Sequence, residues 1–305
     1  MIKTRPVPQF APTDLRLFRV FQAVVRNAGF ASAQDELGIS AATISNHVIQ
    51  LEARLGVRLC ERGRKGFSLT LEGSRVHEAS QNLLRSVDNF SGILSSVRGE
   101  LSGTIHFGTA DAMYTNPELK LAQAIARFNQ AASKVDIHLE VASPQDLQQR
   151  LLDGRYGLIL TPMENAHPSV SAEALFEEEQ SLCCGKAHPL FERAPDDIST
   201  ADMEGSAFAA RSYAKELAGP AHFRFRVAAQ SAHMESLAIL ILSGRYLGYL
   251  PTHFAKAFVD QGAMRRLKPE KTCHFDTFYL AHRRDENNRA TKILKGFVSE
   301  CVAPR

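Results

Sequence analysis

Thr43, Asn46, His47 and Gln50 are four uncharged hydrogen-bonding residues within "ISAATISNHVIQLE" (39–52), a stretch that carries no charge before Glu52. At helical spacing they share with Arg54 one arc of roughly 100°, and Ile44, Val48, Leu51 and Leu55 fall in a separate narrow stripe. A solvated helix face ordinarily mixes Lys with Glu. Hydroxyl, amide and imidazole groups are instead the types that match donors and acceptors on the edges of nucleic-acid bases. Basic residues crowd the next stretch, "ARLGVRLCERGRKG" (53–66), with Arg54, Arg58, Arg62, Arg64 and Lys65 against Glu61. That composition suits a polyanion. Further on, Thr109, Ser143 and Thr161 each offer a hydroxyl at the end of a predicted strand, where open α/β sheets bind their ligands.

Other chemistries find less support. The chain has no H-E-x-x-H, G-x-S-x-G, P-loop or G-x-G-x-x-G pattern. No catalytic residue and no metal site is therefore assigned. Cys183-Cys184 with His188 falls short of the four ligands that zinc sites use. Lys186 and His188 could lower a neighbouring thiol pKa. Adjacent strand residues point to opposite faces, however, and unpaired Cys is commonly a small buried hydrophobe. Five cysteines are an odd number. The N-terminus has no apolar core of a signal peptide, and "LAILIL" (237–242) is too short to span a membrane. The expectation is a cytoplasmic protein with reduced thiols.

The elements that position these residues divide the 305-residue chain. Residues 1–100 hold 13 Lys and Arg against 9 Asp and Glu, a net +4, leaving 23 against 24 in the remainder. "TDLRLFRVFQAVVRN" reads as a helix from a cap at Thr13 or Asp14. "SAQDELG" is a short helix ended by Gly38, and Ser40 is a natural cap for the helix that follows. Two such helices across a Gly-containing turn make a helix-turn-helix, whose second helix enters the major groove. Strand-like pieces at Val57 to Cys60 and Phe67 to Thr70 flank "RGRKG", a hairpin wing whose Arg64 and Lys65 can reach phosphates or a minor groove. In the Pro-free run 71–100, Val76, Leu83, Val87, Phe90, Leu94 and Val97 are spaced 7, 4, 3, 4 and 3 apart, a heptad seam. It predicts dimerisation through this helix, with burial against the same chain as the competing reading. A twofold dimer would read a pseudo-palindrome.

Residues 101–305 alternate strand and helix: "GTIHFGTA", "PELKLAQAIARFNQ", "KVDIHLEVAS", "PQDLQQRLLDG" and "YGLILTP" give βαβαβ and a parallel sheet. The theme repeats to about Arg266, and "HFDTFYLAHRR" with "ATKILKGFVSEC" returns to the start. The expected architecture is α/β overall. A winged helix-turn-helix domain (1–70) and a linker and dimerisation helix (71–100) precede a two-lobed effector domain (101–305). Lobe I takes about 101–162 and 267–305, and lobe II about 163–266.

The pattern resembles the LysR-type transcriptional regulators over nearly the whole chain. The specific part is "DLRLFRVFQAVVRNAGFASAQDELGISAATISNHVIQLEARLGVRLCERGRKGFSLTLEG". The signature is carried by Phe21, Val24, Gly29, Phe30, Ala33, Leu37, Ser40, Ile44, Ser45, Leu51, Glu52, Leu55, Gly56, Leu59, Arg62, Leu69, Thr70 and Gly73. Ala41-Ala42 and Asn46-His47 depart from the family's usual Gln-Pro and Arg-Gln, Cys60 stands where Phe is usual, and Gly157 replaces an Asp. The resemblance implies a regulatory domain shaped like a periplasmic binding protein, with a small-molecule effector of unknown identity in its cleft and no other cofactor. It implies DNA contacts at Ser40, Thr43, Ser45, Asn46, His47, Gln50, Arg54, Arg62, Arg64, Lys65 and Thr70. By position it places Thr109, Ala110, Asp111, Ser143, Thr161, Phe208, Arg211, His233 and Tyr249 at the cleft. Arg211 could hold a carboxylate and Asp111 an amine. The implied partners are double-stranded DNA, the chain itself as a dimer or tetramer of dimers, and RNA polymerase. Two other readings stand beside this one: a DNA-binding protein with an inert oligomerisation scaffold, and an α/β enzyme fused to a winged helix.

Overall fold

Leu17, Phe18, Val20, Phe21 and Val24 recur at helical spacing and are all buried, which sets α1 (Asp14–Arg26) into the first core. The computed structural model describes residues 11, 13–63, 66–97, 101–213 and 223–302. It divides into two compact units, Met1–Ser91 and Gly92–Arg305.

In the first unit, α1 starts without a side-chain cap. Thr13 already has helical φ and ψ, and the Asp14 carboxylate turns back to accept the Ala11 N–H at 2.7 Å. α2 (Gln34–Leu37) stops at Gly38, whose φ of 64° is left-handed. Ser40 caps α3 (Ala41–Leu55), accepting the Thr43 N–H at 3.2 Å. Ile44, Val48 and Leu51 bury the α3 stripe, and Leu55 packs partly buried beside it. Glu52 accepts the Leu59 and Cys60 N–H groups at 2.7 and 3.2 Å. Those amides are thereby turned to α3, and the hairpin ladder starts at Cys60 rather than at Val57. β1 (Cys60–Gly63) pairs antiparallel with β2 (Gly66–Leu69), Cys60 opposite Leu69 and Gly63 opposite Gly66.

Thr70 then starts α4 (Leu71–Val97). Its hydroxyl accepts the Gly73 N–H at 2.8 Å and donates to Arg58 O at 2.7 Å. A Cβ at position 73 would lie 1.9 Å from Leu59 O, so the close approach of α4 to that backbone requires glycine. Gln22 Nε2 donates to His77 O at 2.9 Å and Ser80 Oγ at 2.6 Å, and Phe21 meets the His77 ring edge-on. Val76 and Leu83 pack on the same cluster as Phe21, Ile44 and Leu59. This corrects the expected seam. An apolar heptad stripe has the same spacing whether its partner is the same chain or a copy, and here the first part of the stripe is covered by its own unit. Val87 is half-buried, whereas Phe90 and Leu94 are 59% and 48% exposed. The side chain of Val97 lies outside the described residues.

The second unit opens with β3 (Gly103–Thr109), α5 (Leu121–Ala131), β4 (Val135–Val141), α6 (Pro144–Leu152) and β5 (Leu158–Pro162), with β3 parallel to β4 and β5. It continues through β6 (Val170–Gly185), α7 (Thr200–Glu204), β7 (Ala207–Arg211), β8 (Arg226–Ser231), α8 (Met234–Leu242) and β9 (Leu247–Pro251). α9 (Thr252–Asp260), β10 (Met264–Arg266), α10 (Pro269–Thr272), β11 (His274–Arg283) and α11 (Arg289–Glu300) complete it. The strand order is β4-β3-β5-β11-β6-β9-β7-β8, with β10 also paired to β6. One apolar cluster gathers Phe107, Phe128, Leu158, Phe176, Phe278 and Leu294. Another gathers Leu182, Phe208, Phe225, Tyr249 and Leu267. The first cluster extends past residue 162 to Phe176 and resumes at Phe278, not at 267. Its limits fall inside β6 and β11: β6 runs on into the second lobe's cores through Leu182, Cys183 and Cys184, whereas the buried apolar residues of β11 all lie in the first.

Gly73→Ala should lower the stability of the full-length protein by about 2–3 kcal/mol, the cost of forcing atoms into a packed site. The check is denaturant unfolding followed by circular dichroism, and an unchanged first transition would contradict the close approach.

Candidate nucleic-acid interface and effector cleft

α3 presents Thr43, Asn46 and Gln50 at the surface, on the side away from the buried Ile44, Val48 and Leu51. Ser45 is half-buried. Ser40 is the helix cap, and its hydroxyl lies 2.9 Å from that of Thr43. His47 is half-buried, and neither ring nitrogen has a hydrogen-bond partner among the described residues. With Gln50, Ala53 and Arg54 it lines a concavity closed on the other side by Thr13, Arg16 and Leu17 of the α1 start.

Two of the expected polyanion contacts are committed within the unit. The Arg54 guanidinium pairs with the Asp14 carboxylate, Nη2 to Oδ2 at 2.9 Å, tying the end of α3 to the start of α1. Thr70 serves the start of α4. A sequence motif marks residue type at these positions, but not which way the group turns once helices pack. The side chain of Arg62 and residues Arg64 and Lys65 lie outside the described residues. Arg16, which lines the concavity, was not among the sequence candidates. Its signal was its place in the first turns of α1, off the apolar stripe.

In the second unit, β3 and β5 deliver their carboxyl ends side by side. Thr109 and Thr161 are buried, and their hydroxyls donate to the next carbonyls, Ala110 O at 3.1 Å and Pro162 O at 3.3 Å. Ala110 N–H is fixed by Leu160 O at 2.9 Å. Ser143 caps α6, accepting the Asp146 N–H at 3.2 Å and donating to Asp146 Oδ2 at 2.8 Å. Asp111 Oδ2 accepts the Met234 N–H at 2.5 Å, and His233 Nδ1 stands 4.0 Å from the same oxygen. Desolvation by burial raises the Asp111 pKa despite that bond and the nearby Arg211.

Arg211 does not offer an empty clamp. Its Nη1 donates to Asp276 Oδ2 at 2.9 Å and its Nη2 to Gln180 Oε1. It is only 7% exposed. Burial opposes its charge, but Tyr213, Asp276 and Glu178 outweigh it and hold its pKa above the ordinary arginine value. Gln180 passes the network on to Glu178 Oε2 at 2.7 Å. Glu178 Oε1 accepts from Asn116 Nδ2 at 3.1 Å and meets His253 Nε2 at 2.8 Å, and His253 Nδ1 lies 2.8 Å from Thr115 Oγ1. Hydroxyl, imidazole and carboxylate also build hydrolase triads. Here, however, Thr115 Oγ1 also lies 3.0 Å from Ala112 O, to which it donates, and Asn116 shares Glu178. The three groups tie the loop after β3 to β6 and α9.

Phe208 and Tyr249 are corrections. Both are core residues of the second lobe, 1% exposed. Phe208 stacks on Phe225 at 4.5 Å, and Tyr249 lies edge-on to His274 at 4.7 Å. A five-residue strand flanked by sheet on both sides turns alternate side chains into its own core, which position alone does not reveal. Burial pushes the Tyr249 phenol above its usual range, and its hydroxyl has no partner among the described residues. The residues missed were Glu178, Gln180, Asp276, His253, Thr115 and Asn116. Glu178 and Gln180, two apart, share a strand face, and the only signal was that alternation places both on one side of the polar run "EEEQ" (177–180).

Cys183 and Cys184 are fully buried in the two opposite cores of the second lobe. Burial pushes each thiol up to about 12, which opposes thiolate chemistry at either. Among the described residues no group of three His, Cys, Asp or Glu could hold a metal ion, and no helix is long and apolar enough to cross a membrane.

Two family models match the chain. Bacterial regulatory helix-turn-helix protein, lysR family, covers residues 15–74, and LysR substrate binding domain covers 98–301. HTH-type transcriptional activator BauR of Pseudomonas aeruginosa is 33% identical over 296 residues, 97% of this chain and 96% of that protein. Probable transcriptional regulator PA0477 from the same species has a similar fold, at 21% identity and TM-score 0.66 over 94% of this chain and 97% of its own. Full-length CbnR complexed with its target DNA has TM-score 0.63 at 16% identity, over 94% of this chain and 99% of its own.

Arg211→Ala should cost about 3 kcal/mol in denaturant unfolding by stranding Asp276 and Gln180, and adding Asp276→Ala should cost less than the sum of the two single changes. Native protein at pH 8 should leave Cys183 and Cys184 unmodified by iodoacetamide, with both labelled after unfolding. Native labelling by peptide mass spectrometry would contradict their burial.

Proposed function

The chain belongs to the LysR family of transcriptional regulators, DNA-binding proteins modulated by an effector and not enzymes, and we propose that Thr43, Asn46 and Gln50 of α3 read its DNA site. The observation that carries this is the exposed uncharged face of α3, held in place by a fully buried stripe on its other side. Hydroxyl and amide groups supply both donors and acceptors to base edges in the major groove. His47 lies at the rim of the same face, with Arg16 beside it in the concavity. Arg62, Arg64 and Lys65 supply sequence-independent attraction from the wing. Arg54 and Thr70 act by fixing α1 and α4 against α3.

Dimerisation through α4 uses Val87, Phe90 and Leu94, with Val97 continuing the stripe. Val76 and Leu83 support the helix from within. Two copies would read a pseudo-palindromic operator, and pairs of dimers would make the tetramer. Activation as the output accords with the name of BauR, a transcriptional activator; a cytoplasmic location and contact with RNA polymerase complete the proposal. The effector enters the cleft beside Asp111, Arg211 and His233. It acts by shifting the balance between lobe arrangements and so the placement of the DNA-binding units.

Asn46→Ala should relax selection at one base step by about 1–3 kcal/mol, measured by binding-site selection. An unchanged site preference would remove Asn46 as a reader. Phe90→Asp with Leu94→Asp should halve the sedimenting mass, and an intact assembly would rule out the α4 interface. A metabolite library screened by thermal shift should contain a compound that raises the melting temperature, because a ligand of the native state stabilises it.

A further inference from the structure

The exposed face of α3 has two chemically different halves. Asn46 stands at its middle, opposite the buried Ile44, Val48 and Leu51. Gln50, Thr43 and His47 follow on one side, at about 40°, 60° and 100° of helical rotation from Asn46. Ala53, Ala42 and Ile49 follow on the other side, at about 20°, 40° and 60°. All three of these apolar residues are exposed. One half of the face therefore offers hydrogen bonds, and the other offers only carbon.

Ile49 gives the carbon half its reach. It is 50% exposed, and among the described residues of α1 to α3 it is the large apolar side chain left at the surface. The apolar cluster of its unit closes on the far side of α3 without it. Branching at Cβ holds its χ1 almost entirely in one rotamer within a helix, so its methyls are fixed before any partner arrives. One isoleucine beside two alanines is far too small a patch to dock a protein, which covers about 800 Å² on each side. It is matched in size to a single methyl group. In the major groove that group is the C5 methyl of thymine, the apolar feature that tells thymine from cytosine there.

We propose that Ile49 is a specificity-determining residue that packs on the C5 methyl of a thymine beside the base pair contacted by Asn46. This rests on the reading that α3 enters the major groove, and it names a base that the polar residues do not specify. The occupant follows from continuity along the helix. Residues three apart are neighbours on a helix surface, with Cβ atoms about 5–6 Å apart. A duplex seated on Asn46 therefore also covers Ile49. Polar side chains there would keep their water, whereas Ile49 and the thymine methyl both leave it, and burial of one methyl-sized group is worth about fourfold in affinity.

The test uses the full-length protein and a duplex that it selects from a random pool. Each thymine of one half-site is replaced in turn by deoxyuridine, which lacks only the C5 methyl, and Kd is measured at fixed salt. In wild type one replacement should weaken binding about fourfold, the loss of one methyl contact. Ile49→Ala should bind the thymine and deoxyuridine duplexes equally at that position. Ile49→Gln, of similar reach but polar, should lose the difference too and covers a folding failure of the alanine variant. If no thymine responds in wild type, the proposal is overturned. A response that persists undiminished in the variants also overturns it, because another group then reads the methyl. Should Asn46→Ala alter the selected site while deoxyuridine has no effect, the Ile49 contact falls and reading by α3 stands. Should neither change matter, both fall.

Discussion

The ladder between β6 and β11 carries the regulatory unit. It runs antiparallel from His274 opposite Gln180 to Arg283 opposite Val170, and it slips between Phe278 and Tyr279. One end lies in the core of the first lobe; beyond the other, β6 alone runs on into the second lobe, and His274 of β11 meets the Tyr249 ring at its edge. Beyond the first core the strands carry Glu178 and Gln180, both buried, and the half-buried Asp276. Buried charge is tolerated only when paired and hydrogen-bonded. Arg211 from β7, His253 from α9 and Asn116 from the loop after β3 converge there to meet that demand. The position of the second lobe follows from this convergence, since three of its neighbouring elements are anchored to one polar line.

The DNA-binding unit obeys a parallel constraint on a smaller scale. Polar contacts tie its helices together: Asp14 with Arg54 and Gln22 with Ser80 join elements distant in sequence, and Glu52 holds the Leu59 and Cys60 amides that follow its own helix. These contacts orient a face of α3 that must remain unsatisfied to be useful. Asn46 and Gln50 keep their hydrogen-bonding capacity exposed because Ile44, Val48 and Leu51 carry the burial on the opposite side.

Much of this was legible in the residues. Helical periodicity located α1, α3 and α4, the Ser40 cap was correct, and the alternation of strand and helix gave the parallel βαβαβ half. The polar face of α3 was legible because its chemistry is local: side chains on one arc need no tertiary contact to be recognised. Cys183 and Cys184 were legible for the same reason, since alternation in a strand dictates opposite faces. The cleft was much less so. Phe208 and Tyr249 stand where relatives would suggest ligand contact, yet the second core absorbs both. Arg211 could be picked out by position as a cation able to hold a carboxylate, but not its burial or its partners, which come from β6 and β11 at separations of 31 and 65 residues.

The sequence by itself determined the family, the order of elements and the residue types on the polar face of α3. Each of these depends on spacing within one helix, strand or turn. Tertiary structure alone decided which half of the α4 stripe is covered by its own unit, that Arg54 turns to Asp14, and that Asp111 crosses to α8. Those outcomes depend on competition between partners far apart in the chain. An unsatisfied buried group takes whichever donor or acceptor the packed elements bring within about 3 Å, and no local pattern encodes that choice.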